Sequence, residues 1–144
     1  MTSNQCKMIN EPKDNKPTFY QNLFHSDNGV HELTLNDFIY KHKKLYIKNK
    51  VFHNKGFVMF YAPWCSHCKN FKKEYENIAL DYIQNVPFGA VNIENTLDNN
   101  DQLRIYANVE GVPTLFSIHK DGYLEEYKSE INYDNLLYQV NMIL

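Results

Sequence analysis

The stretch that decides the fold is Phe57-Val58-Met59-Phe60-Tyr61-Ala62-Pro63-Trp64-Cys65-Ser66-His67-Cys68-Lys69. Its first five residues are apolar, which predicts a strand buried on both faces, and Pro63 ends that strand. From Cys65 to Ile83, apolar residues recur every three or four positions, which predicts an amphipathic helix of about five turns. We expect the intervening polar residues, Glu76 among them, on the wet side of this helix. Two cysteines therefore stand where a strand ends and a helix begins.

The spacing of these two cysteines suits redox chemistry. Positions i and i+3 of a helix lie on one face with their Cβ atoms about 5–6 Å apart, which is near disulfide geometry. The first turn of a helix also has unpaired N–H groups and the positive end of the dipole, and both favour a thiolate. We therefore expect Cys65 to be the exposed nucleophile and Cys68, one turn further in, to be the resolving thiol on the core side.

A metal site is the competing interpretation of the cysteine pair. Structural zinc needs four ligands, but the only other cysteine is Cys6, in the polar amino-terminal segment. His67 lies about 200° around the helix from Cys65, so it points away from the sulfurs. Redox chemistry without a metal or an organic cofactor is the prediction. We expect Cys6 to be an exposed, mobile thiol, and a redox or intermolecular role for it is the alternative.

The rest of the chain predicts an α/β plan in two parts. Residues 1–28 read as a polar, flexible extension in which only Phe19-Tyr20 and Leu23-Phe24 could dock onto a core, and residues 29–144 read as the folded domain. The lysine-rich stretch from 41 to 55 is either a solvated connector or a basic docking patch. Patterning predicts the order β-α-β-α-β-α-β-β-α, with strands at 30–33, 88–93, 114–118 and 123–127. It predicts one helix capped by Thr34 or Asn36, a short helix near 102–106, and a closing helix capped by Asn132 or Asp134.

Composition narrows the class of protein further. The chain has 144 residues and a net charge of −2, which does not suit a dedicated nucleic-acid binder. The longest apolar run is about half a membrane-spanning helix, and the first twenty residues lack a secretory signal, so we expect a cytoplasmic protein without a membrane partner. Lysine and asparagine are abundant. This bias suits an A/T-rich genome such as that of a large DNA virus, whose factories or virions are the predicted location.

Two motifs resemble one family. Residues 61–69 resemble the active-site stretch of the thioredoxin superfamily, and most of all the protein disulfide isomerase branch with its Tyr-Ala-Pro-Trp-Cys-Gly-His-Cys-Lys. A second match runs from Leu103 through Gly111-Val112-Pro113-Thr114 and is similar to the stretch around the family's cis-proline. The resemblance covers about residues 30–144 and implies the thioredoxin fold, a central mixed β-sheet flanked by helices. It also implies a cis Val112–Pro113 bond, substrate docking at these two residues, and a rim shaped by Trp64.

The resemblance also assigns redox tuning. An imidazole at His67 stabilises a nearby thiolate and so favours an oxidising poise, while Ser66 stands where the family has glycine and Lys69 is retained. Met59 replaces the buried acid that relays protons to the inner thiol in the family. No arginine follows the last strand. These departures predict slow proton transfer at Cys68.

The expected activity is thiol–disulfide exchange with protein substrates, in the manner of a protein disulfide isomerase or oxidase. A flavin-linked sulfhydryl oxidase would recharge an oxidising protein, and a thioredoxin reductase would recharge a reducing one. The alternative is a thioredoxin-fold binding or structural module with little turnover, which Met59 and Ile131 favour because neither residue can assist the inner thiol.

Overall fold

Five strands form the central sheet of the computed structural model, which describes residues 5–8 and 21–144. In chain order the strands are β1 (Cys6–Lys7), β2 (Val30–Leu33), β3 (Phe38–Lys41), β4 (Lys44–Ile47), β5 (Phe57–Tyr61), β6 (Phe88–Asn92), β7 (Gly111–Val112), β8 (Thr114–Ile118) and β9 (Leu124–Glu126). The helices are α1 (Ser66–Asp81), α2 (Asn100–Tyr106) and α3 (Tyr133–Ile143). The order across the sheet is β2-β6-β5-β8-β9. Strands β2, β6 and β5 are parallel, β8 is antiparallel to β5, and β9 is antiparallel to β8. The predicted mixed sheet with flanking helices is confirmed.

The predicted strand β5 lies at the middle of this sheet, and all five of its residues are buried. The next strand, β6, is also buried throughout, because helices and loops cover both faces. Register places Glu32, Ala90 and Met59 in one row across three strands. Side chains in one row point to the same face, and the small Ala90 leaves room between its two larger neighbours.

Helix α1 follows the predicted pattern closely. Its buried apolar residues are Cys68, Phe71, Tyr75, Ile78 and Ala79. The helix ends at Asp81, before the predicted last turn, and Ile83 is exposed. The expectation that Glu76 faces water is wrong, because it is only 3% exposed. Lys72 Nζ, 3.1 Å away, and Asn28 Nδ2, 2.9 Å away, each donate to one of its carboxylate oxygens and so satisfy the buried charge.

The helix predicted after Thr34 is replaced by a hairpin. A single 3₁₀ turn, Leu35–Asp37, begins at Thr34, whose N–H donates to the Asp37 carboxylate over 2.9 Å. Strands β3 and β4 then pair through a two-residue turn at His42 and Lys43, both at positive φ, as a primed hairpin turn requires. The lysine-rich stretch is not only a connector, because its apolar residues enter the core: Leu45, Ile47 and Phe52 are buried.

The folded domain begins before residue 29. Phe24 is 2% exposed, and its ring packs edge-on against Tyr61 at a centroid distance of 5.3 Å. The N–H of Leu23 donates to the Tyr61 hydroxyl over 2.9 Å. The predicted docking of Leu23-Phe24 onto the core therefore occurs, and this part of the segment 1–28 is not separate from the domain. Phe19-Tyr20 lies outside the described residues.

The closing elements follow the sequence prediction. The Asn132 side-chain oxygen accepts from the N–H of Asn135 over 2.9 Å and so caps α3. Leu136 and Val140 face the core from this helix. Within residues 5–8 and 21–144, no helix is long and apolar enough to cross a membrane.

Candidate active site

The cysteine pair lies at the amino end of α1, as predicted. Cys65 is the N-cap residue, with extended backbone angles, and Cys68 lies in the first turn. The carbonyl oxygen of Cys65 accepts from the N–H of Lys69 over 3.1 Å, which closes this turn. Both cysteines are 0% exposed. The expectation of an exposed outer thiol is therefore wrong for this state of the protein.

Cys65 is covered because it is bonded to Cys6. The two residues form a disulfide across 59 positions of the sequence, with their Cα atoms 5.9 Å apart. The prediction that Cys6 is an exposed, mobile and inert thiol is wrong. Cys68 is left as a free, buried thiol. Among the residues that the structure describes, no group of three or more His, Cys, Asp or Glu side chains is placed to hold a metal ion.

Burial controls the protonation of Cys68. Loss of solvation raises the pKa of its thiol to about 12, and hydrogen bonds from the backbone of Ala62 and of Cys68 itself offset only part of that effect. A thiolate, rather than a thiol, attacks a disulfide, so Cys68 reacts slowly near neutral pH.

The second motif faces the first. The Val112–Pro113 bond is cis, as the resemblance implied. The carbonyl oxygen of Val112 lies 3.4 Å from the Cys65 sulfur. A groove of about 290 Å³ runs beside them, and its walls include His67, Pro113 and Ile131. The structure thus brings Val112 against the Cys65 sulfur, while His67 and Pro113 line one groove.

The other predicted site residues lie on the rim. Trp64 is 44% exposed, and its Nε1 donates to Glu94 over 3.2 Å. Glu94 comes from the polar stretch between β6 and α2, so this stretch positions the indole. Ser66 and Lys69 are exposed at the start of α1.

A partly buried carboxyl is present, although Met59 stands where the family has its acid. Met59 is 0% exposed, and Glu32 lies in the same row of the sheet, beyond Ala90. One carboxylate oxygen of Glu32 accepts from the N–H of Phe24 over 3.1 Å and from the Tyr61 hydroxyl. Desolvation raises the pKa of Glu32 from 4.5 to about 7, and these two hydrogen bonds lower it in part.

Tyr61 connects this carboxyl to the cysteine end of the sheet. Burial raises the pKa of its hydroxyl far above the ordinary value, and the nearby Glu32 and Cys68 raise it further. Tyr61 is therefore a neutral donor at every physiological pH. Because Met59 stands at that position, β5 lacks the family's acid. The carboxyl of Glu32 remains as a protonatable group on the same face of the sheet.

Two residues near the site have contacts that the sequence does not predict: Cys6, whose redox role is only the alternative above, and Glu32. Cys6 is a third cysteine in a chain with a two-cysteine motif, and this odd number was the available signal. Glu32 interrupts a short strand between Val30 and Leu33, so its carboxylate falls on a sheet face rather than in a loop. Neither signal identifies the residue that Cys6 or Glu32 contacts, because those residues, Cys65 and Tyr61, are distant in sequence.

The chain belongs to the thioredoxin family, whose family model matches residues 39–142. Among curated proteins it is 35% identical over 98 residues to the protein disulfide-isomerase MPD1 of Saccharomyces cerevisiae, covering 66% of this chain and 27% of that protein. It is 39% identical over 77 residues to a putative protein disulfide-isomerase of Dictyostelium discoideum, covering 49% and 18%. The chain thus spans only a small part of these relatives.

Solved structures support the fold assignment. The J-Trx1 fragment of ERdj5 superposes with a TM-score of 0.62 at 20% identity, covering 81% of this chain and 52% of that one. Thioredoxin f from spinach chloroplast (long form) superposes with a TM-score of 0.58 at 21% identity, covering 81% and 87%. At such identities the agreement concerns the fold alone.

Proposed function

We propose that the protein is a thiol–disulfide oxidoreductase that exchanges disulfides with protein clients through Cys65 and Cys68. The observation that carries this proposal is the position of the Cys65 sulfur, at the tip of α1 and 3.4 Å from the carbonyl oxygen of Val112. A helix tip favours a thiolate, and the short strand β7 offers backbone groups to an extended client. Similarity to protein disulfide isomerases gives independent support.

The chemistry needs only these two sulfurs. The Cys65 thiolate attacks a client disulfide, bonds to one client sulfur and releases the other as a thiolate. Cys68, after losing its proton, attacks the Cys65 sulfur, so that a Cys65–Cys68 bond forms and the second client thiolate leaves. The reverse sequence transfers a disulfide to the client. Val112 and Pro113 position the client, and the exposed Trp64 forms part of the rim around the site.

Trapping of mixed disulfides tests this function. In the double variant Cys6→Ser/Cys68→Ser no sulfur of the chain can displace a client from Cys65, so we expect a covalent complex with a disulfide-containing peptide. The same variant with Cys65→Ser added is the matched control and should trap nothing. If the double variant traps no peptide and the wild type shows no reductase activity on insulin, the proposed exchange is refuted.

For the direction of transfer we propose the oxidising one. His67 lies in the first turn of α1, two residues after Cys65, and an imidazole near that sulfur stabilises the reduced form and so makes the disulfide a better oxidant. A flavin-linked sulfhydryl oxidase is the matching electron acceptor. Equilibration with glutathione buffers tests the direction, and a potential at or below about −270 mV, the thioredoxin value, would exclude it. A cytoplasmic, viral-factory or virion location and a viral source stay predictions.

A binding or structural module without turnover is the second candidate, favoured by the buried thiol of Cys68. The pKa of about 12 keeps the Cys68 thiol mostly protonated near neutral pH, which slows the resolving step. This candidate predicts stable client complexes that form equally well with Cys65→Ser, since no covalent step is needed. Dependence of client capture on Cys65 would exclude it.

A further inference from the structure

We propose that residues 5–8 are a built-in client strand, and that Cys6 is a third redox-active cysteine that competes with clients and with Cys68 for Cys65. This inference rests on the proposed function and adds a way in which the same site is regulated. Cys6 pairs with Val112 and Lys7 with Gly111 in an antiparallel register, so this segment, the arm, occupies the edge on which a client would dock.

Side-chain and backbone contacts hold the arm independently of the disulfide. Gln5 Nε2 donates to the carbonyl oxygen of Pro113 over 3.1 Å and lies 3.2 Å from Thr114 Oγ1. The N–H of Met8 donates to the carbonyl oxygen of Glu110 over 3.3 Å. The contacts thus extend to both sides of the cysteine, as expected of a bound peptide rather than of a chance crosslink.

The site is shaped for a close strand. A Cβ atom at Gly111 would lie 3.1 Å from Gln5 Oε1 and 3.2 Å from the carbonyl oxygen of Cys6, nearer than most Cβ contacts. The absence of a side chain at Gly111 therefore lets the arm approach. On the arm, Cys6 and Met8 pack against the core while Lys7 is exposed, which is the alternation of a docked strand.

The exchange between the two states is balanced without an outside oxidant. Cys68 loses its proton and its thiolate attacks the Cys65 sulfur. The Cys65–Cys68 bond forms as the Cys6–Cys65 bond breaks, and Cys6 leaves as a thiolate that takes up a proton. The number of disulfides is unchanged, and release of the arm opens β7 to a client.

Two properties favour the closed state. Because Cys6 belongs to the same chain, its effective concentration at Cys65 is on the order of millimolar, above that of most free clients. Cys68 is buried and mostly protonated near neutral pH, so the competing thiolate is scarce. The arm therefore excludes weak clients, while a strongly bound client strand can displace it.

Peptide mapping provides the first test on the full chain. Trypsin leaves Cys6 in the peptide Met1–Lys7 and both other cysteines in Gly56–Lys69, so only the arm disulfide links two peptides. After equilibration in glutathione buffers and acid quenching, we expect the linked pair in the wild type and in Cys68→Ser, and an internal loop in Cys6→Ser. The inference is overturned if the wild type forms only the internal Cys65–Cys68 loop at every glutathione ratio.

Arm contacts are tested by variants that keep all cysteines. Gln5→Ala loses the hydrogen bond to Pro113 and the contact with Thr114, so the ratio of linked pair to internal loop should fall about tenfold. Lys7→Ala, on the same strand with an exposed side chain, is the matched control for this ratio. Equal ratios in Gln5→Ala and the wild type would contradict the proposed docking.

A single-turnover reaction separates this inference from the proposed function. Protein oxidised beforehand is mixed with a fluorescent dithiol peptide, and disulfide formation in the peptide is followed. Cys6→Ser should oxidise the peptide at least about tenfold faster than the wild type, because the rate scales with the fraction of open protein. Equal rates in both proteins overturn the role of the arm but leave the function intact. No oxidation of the peptide by Cys6→Ser refutes the function itself.

Discussion

Glu32→Gln replaces a partly buried carboxyl with an amide of nearly the same shape. The glutamine oxygen can still accept from the N–H of Phe24 and from the Tyr61 hydroxyl. In the unfolded chain the carboxyl loses its proton near pH 4.5, but in the folded protein it does so near 7. Between these values the folded protein holds one more proton than the unfolded chain, so stability falls as the pH rises.

The difference between the unfolded pKa of Glu32, 4.5, and the folded pKa, about 7, corresponds to a loss of about 3 kcal/mol of unfolding free energy as the pH rises through this range. Below pH 4.5 both states are protonated and the effect vanishes, whereas above pH 7 it is complete. We therefore expect Glu32→Gln to gain about 3 kcal/mol over the wild type between pH 4.5 and 8. For a domain of this size the gain corresponds to a Tm difference of about 10 °C at pH 8.

Urea unfolding followed by circular dichroism at pH 4.5, 6, 7 and 8 measures this difference. A reductant keeps Cys6 and Cys65 unbonded, so that the disulfide does not contribute. Glu125→Gln is the matched control, because Glu125 is exposed on β9 and its substitution should leave the pH dependence unchanged. Parallel stability curves for Glu32→Gln and the wild type would refute the argument that burial holds this proton.

Three further measurements follow from the same contacts. Tyr61→Phe removes a hydrogen bond that lowers the pKa of Glu32, so the pH-dependent loss of stability should move to higher pH; a shift to lower pH would contradict this. Disulfide exchange by Cys68, followed by quenched alkylation, should speed up about tenfold per pH unit from 7 to 9, and a flat profile would exclude a buried, protonated thiol. Phe24→Ala should lower the free energy of unfolding by about 3–5 kcal/mol, and a loss below about 1 kcal/mol would show that this segment is not part of the core.

The sequence predicts those helices and strands whose apolar pattern matches the residues that are buried in the fold. The apolar run of β5 and the three-to-four spacing of α1 are each contained in one continuous stretch of sequence, so both elements are predictable to within a few residues. The turn at His42 and Lys43 was not predictable in this way. Neither residue is the glycine, asparagine or aspartate that marks such a turn in a sequence, and the pairing of β3 with β4 overrides the helical spacing of their apolar residues.

The candidate site was predictable only in part, for a related reason. The motif located Cys65 and Cys68, and the second motif located Val112 and Pro113, because each is local in sequence. The partner of Cys65 is 59 residues away, and no local pattern encodes a strand of two residues. Glu32 likewise gains its significance from contacts outside its own strand, with the N–H of Phe24 and with the Tyr61 hydroxyl of β5.

An odd number of cysteines around one sulfur has an analytical consequence. With Cys65 able to hold one partner at a time, either oxidised form leaves a single free sulfhydryl, so total thiol titration after denaturation gives the same count for both. A reagent applied to the native fold distinguishes them, since Cys68 is 0% exposed while Cys6, once released, is open to labelling. With a chromogenic thiol reagent, the rate at which colour develops, rather than its final intensity, identifies which disulfide is present.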